Sequence, residues 1–114
     1  MRVVSVRYPK AIRAAHFIYV GHAHPRGLER HELANPFVRD PDGIVKFRDW
    51  LAVHPDRDSL LSRLWQDTEG GWHPLACWCG DWEPGQQLEC HAVVIAEAMI
   101  QHYGHLIAAA PAPR

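Results

Sequence analysis

The last third of the chain constrains the fold most. His73 to Cys79 (HPLACWC) is a short apolar run that reads as a buried strand. Gly80 to Glu89 is a loop of glycine, proline and acidic residues. Cys90 to about Leu106 then reads as a helix that is apolar over most of its surface, through Val93, Val94, Ala96, Met99, Ile100 and Tyr103. Such a helix belongs in a core, and the strand before it makes it part of an α/β unit.

The upstream segments supply the rest of that unit. Arg2 to Arg7 holds VVSV between arginines, a β-branched first strand that Tyr8-Pro9 stops. Phe17-Ile18-Tyr19-Val20 is a second strand, closed by Gly21. Asp40-Pro41-Asp42-Gly43 signals a helix entry, and Ile44, Phe47 and Leu51 follow at i, i+3 and i+7. Trp50 and Val53 broaden that stripe, and His54-Pro55 ends it. Asp58-Ser59 caps a further helix with Leu60, Leu61, Leu64 and Trp65 on one face, ended by Gly70-Gly71. Lys10 to Ala15 reads equally as a turn of helix or a loop. His22 to Asn35 is a long loop, and His22 to Leu33 within it is expected to be more mobile than the strands when no ligand is bound. A strand, then helices, then a strand argues for at least one parallel pair. The expectation is a single α/β domain over residues 1–107: a small mixed or parallel sheet of about three to four strands with flanking helices. Residues 108–114 (AAAPAPR) read as a flexible tail.

Composition sets limits on function. Twelve Lys and Arg oppose thirteen Asp and Glu, a net charge of −1. No field of one sign exists, which excludes bulk coating of nucleic acid. No stretch is long and apolar enough to span a membrane. The odd set of three cysteines, without a signal-like N-terminus, points to a reducing compartment. A soluble, cytoplasmic protein with no membrane partner is therefore expected.

The densest chemistry is Cys77-Trp78-Cys79, ten residues, then Cys90-His91. Cys77 and Cys79 share one side of a strand. Cys79 lies at the carboxyl end of that strand, where open α/β sheets bind ligands. Cys90-His91 opens the next helix, whose free N–H groups and dipole lower a thiol pKa and suit an anion. On this reading Cys90 is the reactive cysteine, with His91 beside it as its catalytic companion. The rival reading is a metal site: Cys77, Cys79, Cys90 and His91 form a legitimate tetrahedral zinc set. The plain reading of Cys77 is a small core residue.

Other residues offer ligand contacts. Asn35, before Pro36-Phe37, is held in a turn and can either bond a ligand or close an Asx-turn. Arg48 can clamp a phosphate or carboxylate, or pair with Asp49, Asp42 or another acid. His22 with His24, and His102 with His105, have chelating spacing, although scattered solvated histidines are the plainer reading. Four tryptophans read as core, and Trp82, in the Gly/Pro/acidic loop, as a ligand or partner contact.

Several motifs together resemble the domain-of-unknown-function 4326 family, a small domain frequent in phages and bacteria. They are Val3 to Val6, Tyr19-Val20-Gly21, Asn35-Pro36-Phe37, Phe47-Arg48-Asp49-Trp50-Leu51, Leu75-Ala76-Cys77-Trp78-Cys79 and Cys90-His91-Ala92. The chain departs from the family pattern at His22, where arginine is usual, at Ala34, where glycine is usual, and in a longer Cys79–Cys90 loop. The resemblance implies a fold and a site but no reaction. Three functions follow. The first is a small-molecule or nucleotide-type site, with catalysis, built from Tyr19, His22, Asn35, Cys79, Cys90 and His91, with Arg48 nearby. The second is a zinc-stapled interaction module. The third is a phage accessory domain, in the bacterial host cytoplasm, that binds a host protein.

Overall fold

The computed structural model describes residues 1–7, 17–23 and 28–109. Lys10 to Ala15, His24 and residues 110–114 lie outside them. Three short strands form one sheet: β1 (Val3–Ser5), β2 (Ile18–Tyr19) and β3 (Leu75–Cys77). Their order is β1-β3-β2, so the last strand in sequence is the central one. Both pairings are parallel, with Val3 opposite Leu75 on one side and Ile18 opposite Leu75 on the other. The central position explains why Leu75, Ala76 and Cys77 are all buried, as the apolar run predicts.

Of the mixed and parallel sheets expected, the protein has the parallel one. Beside it lies a single antiparallel bridge between Val3 and Trp82. There Val3 N–H donates to the Trp82 carbonyl at 2.9 Å and Trp82 N–H to the Val3 carbonyl at 2.8 Å. Trp82 is buried in the core and its indole Nε1 donates to the Gln86 carbonyl at 3.0 Å. The expectation that Trp82 meets a ligand is thus corrected: the loop folds back and spends this residue on the free edge of β1. Trp72 is the exposed tryptophan instead.

The helices are α1 (Gly43–Ala52), α2 (Arg57–Asp67) and α3 (His91–Ala109). The α1 stripe buries Phe47 and Leu51, with Ile44 packed against the core. Removing the fully buried Phe47 ring to alanine would cost about 3–5 kcal/mol by the usual cavity argument. In α2, Leu60, Leu61 and Leu64 are buried. This helix starts at Arg57 with Asp56 at the cap position, so Asp58 lies in its first turn rather than capping it. Its end is set by Thr68, whose hydroxyl donates to the Leu64 carbonyl at 2.7 Å, and by Gly70 and Gly71 at φ 73° and 86°. Such angles favour glycine.

Helix α3 lies against β1, β3, α1 and α2 and is the hub of the core. Ala92 to Ala96 and Met99 are buried on it, while Glu97 is exposed. Tyr103 stacks on Trp65 of α2 at 4.6 Å. No helix among the described residues is long and apolar enough to cross a membrane.

Candidate functional site

The carboxyl ends of β2 and β3 and the first turn of α3 meet at one cleft. Its volume is about 630 Å³, within the range of small-molecule sites. Tyr19, His22, Asn35, Arg48, Cys77, Cys79, Cys90 and His91 all line it, on its two walls. Parallel pairing is what puts the ends of β2 and β3 side by side there.

Three thiols converge in one wall. The Sγ atoms of Cys77, Cys79 and Cys90 all lie within 4.8 Å of one another. They are the one group of three or more His, Cys, Asp or Glu side chains among the described residues placed to share a metal. Cys77 and Cys90 are buried and Cys79 is exposed. The Cys77 and Cys90 sulfurs are 2.8 Å apart, and the Cys79 N–H donates to Cys77 Sγ at 3.3 Å. Strand β3 ends at Cys77, so the chain is free to turn after it. That turn brings Cys79 to the cluster and Trp78, read as core, into the cleft wall.

Proton sharing makes the three sulfurs unequal. Thiol hydrogen bonds from Cys77 and then Cys90 hold Cys79 well below the ordinary thiol range, against its partial burial, with help from His91 and Arg7. The same contact with Cys79 pushes Cys77 up to about 11. Contact with Cys77 and then Cys79, together with burial, pushes Cys90 up as well. One negative charge is comfortable in the cluster and a second is not, unless a cation joins it. Of the three thiols, Cys79 is the one that solvent reaches, whereas Cys90, expected to be the reactive one, is buried. Cys90 does occupy the cap of α3, where its carbonyl accepts from the N–H groups of Val93 and Val94 at 3.1 and 3.3 Å. Complete burial against two thiols outweighs the helix dipole there.

His91 is buried, and its Nε2 donates to the Val20 carbonyl at 2.8 Å. Its ring meets Phe47 edge-on, with centroids 5.4 Å apart. It is near enough for Cys79 to favour its charged form, but burial dominates and lowers its pKa. It does not join the three sulfurs within their common radius.

The opposite wall is braced by hydrogen bonds. Trp78 Nε1 donates to the Tyr19 hydroxyl at 3.0 Å, and that hydroxyl donates to the His22 carbonyl at 2.6 Å. His22 Nε2 donates to the Asn35 carbonyl at 2.7 Å. Asn35 Oδ1 accepts from the Phe37 N–H at 2.8 Å, so the Asx-turn reading describes its oxygen. Arg48 is exposed and reaches Glu97 at 3.8 Å, a surface pair that a ligand anion can displace at small cost. Glu89, not singled out in the sequence, also lines the cleft. Its only signal was its position next to Cys90. His102 lies on an exposed part of α3, with its ring edge-on to Tyr103 at 4.6 Å. The side chain of His105 lies outside the description, as does His24.

No curated protein and no solved structure matches the chain. The family model described as Domain of unknown function (DUF4326) matches residues 4–101, a span that carries nearly all of the sheet, the thiol cluster and the cleft, and the chain belongs to that family.

Proposed function

We propose that the cleft is the working site of this protein, that it takes a small ligand of nucleotide size, and that its three cysteines hold a divalent metal, zinc in the first instance. The single observation behind this is the convergence of Cys77, Cys79 and Cys90 in the wall of a cleft large enough for such a ligand. Thiolates are ligands for zinc, and three of them around one ion at about 2.3 Å stand about 3.8 Å apart. Metal entry then spreads the Cys77–Cys90 pair by about 1 Å and releases thiol protons. The nucleotide part rests on analogy: an α/β crevice at strand ends, beside a helix start. In this reading Tyr19, His22, Asn35 and Arg48 contact the ligand, and catalysis falls to the thiol cluster and His91.

A second reading is a zinc-stapled interaction module without catalysis, the kind of domain that meets a host protein. It is favoured by the burial of two of the three sulfurs between β3 and α3, elements already in contact.

Elemental analysis of tag-free protein prepared under reducing conditions tests the metal. One zinc per chain is expected in the wild type, and much less in C79S. Metal-free wild type that also fails to take up added zinc would sink it. Nuclear magnetic resonance titration with nucleoside monophosphates then separates the two readings. Saturable shifts confined to cleft residues support the ligand site, and an unchanged spectrum supports the module.

A further inference from the structure

We infer that the metal centre keeps its fourth coordination position open to the cleft, to be filled by a donor atom from solution and not by His91. This rests on the metal reading above. The argument begins with the sulfurs. Cys77 and Cys90 close the inner side of the cluster and Cys79 is exposed, so the centre has one wet side. That side belongs to the cleft, because all three cysteines line it.

The two imidazoles that line the cleft stand outside the sulfur cluster. His91 donates through Nε2 to the Val20 carbonyl and packs on Phe47, which fixes its ring between β2 and α1 and leaves Nδ1 as its metal-binding nitrogen. His22 spends Nε2 on the Asn35 carbonyl. Neither nitrogen set falls within the radius that the sulfurs share, and neither does the carboxylate of Glu89. Zinc sites with four protein ligands are structural, whereas three protein ligands and an open position are the arrangement of catalytic sites. The class of ligand follows: a molecule that fits the cleft and carries a nitrogen, sulfur or oxygen donor, with water in its absence.

Cobalt(II) in place of zinc reports the position directly, because its ligand-field absorption depends on all four donors. The full chain is loaded with cobalt under reducing, oxygen-free conditions, and then titrated with imidazole or azide. The expected result is a saturable shift of the bands. The H91Q variant is expected to keep the tetrahedral spectrum and the same response, since glutamine can still donate to the Val20 carbonyl. Bands that ignore both additives, or that collapse in H91Q while its circular dichroism stays native, would overturn the inference and leave a closed site. A wild type that binds no cobalt at all would instead remove the metal reading itself.

Discussion

The His91 imidazole donates through Nε2 to the main-chain carbonyl of Val20 at 2.8 Å, so the first residue of α3 is tied to the end of β2 across 71 positions of sequence. Val20 is completely buried, and water cannot replace the bond. H91A should therefore lose about 1–3 kcal/mol, the cost of a stranded buried acceptor. H91Q should recover much of it. Urea unfolding of both variants, reduced and with chelator present, measures the effect apart from any metal. Equal stability of H91A and wild type would show that the bond is dispensable.

Thiol chemistry should follow the proton sharing. In reduced, chelated protein at pH 7, iodoacetamide should label Cys79 well before Cys77 and Cys90, because Cys79 is both exposed and held as thiolate. Zinc should slow the labelling of all three. Peptide mass spectrometry over time reads the order. Fastest labelling at Cys90 would restore the helix-dipole argument.

Acid should weaken the fold before the carboxylates titrate. Burial lowers the pKa of His31, with Glu32 and Asp67 opposing and Arg63 assisting. Its Nδ1 accepts from the Leu33 N–H at 3.0 Å, which requires an unprotonated nitrogen. Above about pH 6.5 both folded and unfolded chains carry this histidine neutral, and it adds no slope. Below that the unfolded chain binds the proton more tightly, so stability falls as pH drops toward the lower folded value. Urea midpoints measured from pH 8 down to about 5.5 should show that fall, and H31N should reduce it, leaving the share due to His91, whose pKa burial also lowers. A midpoint that rises on acidification would contradict the argument.

Gly43 opens α1 where a side chain has no room. A Cβ there would strike the carbonyl oxygen of Phe37, a backbone atom that cannot swing aside. Gly-to-Ala at a helical position normally stabilises by up to about 1 kcal/mol. Here the sign should reverse, with G43A costing about 1–3 kcal/mol. Phe37 and Gly43 both line the cleft, so the variant should also disturb ligand binding. Thermal unfolding of G43A beside wild type decides the sign.

The elements themselves were legible because each carries a local pattern. The β-branched run at Val3, the stripe of Phe47 and Leu51, and the apolar run at Leu75 all lie where the periodicities put them. Strand pairing was not legible, since three short apolar strands carry no register information of their own. Trp82 was misread for the same reason. Its loop composition signals exposure, and only the backbone pairing with Val3, far away in sequence, makes it core. The site was legible as a place and not as an electrostatic environment. The helix start at Cys90 and the strand end near Cys79 were both visible. The thiol that holds the charge depends on which sulfurs meet and which of them water reaches, and spacing alone does not encode that.

The placement of the last strand between the first two governs when this fold can exist during synthesis. Val3 and Ile18 both wait for Leu75, and β1 and β2 never pair with each other. At about 5–20 residues per second, the ribosome leaves the first strand without its neighbour for roughly 4–14 seconds. Helices α1 and α2 can form meanwhile from local contacts. The sheet arises only after Leu75 to Cys77 has left the tunnel, and the cleft and the thiol cluster later still, once Cys90 has followed. A nascent chain stalled before that point would carry two apolar strands with nothing to pair against, and is the species on which chaperones would act.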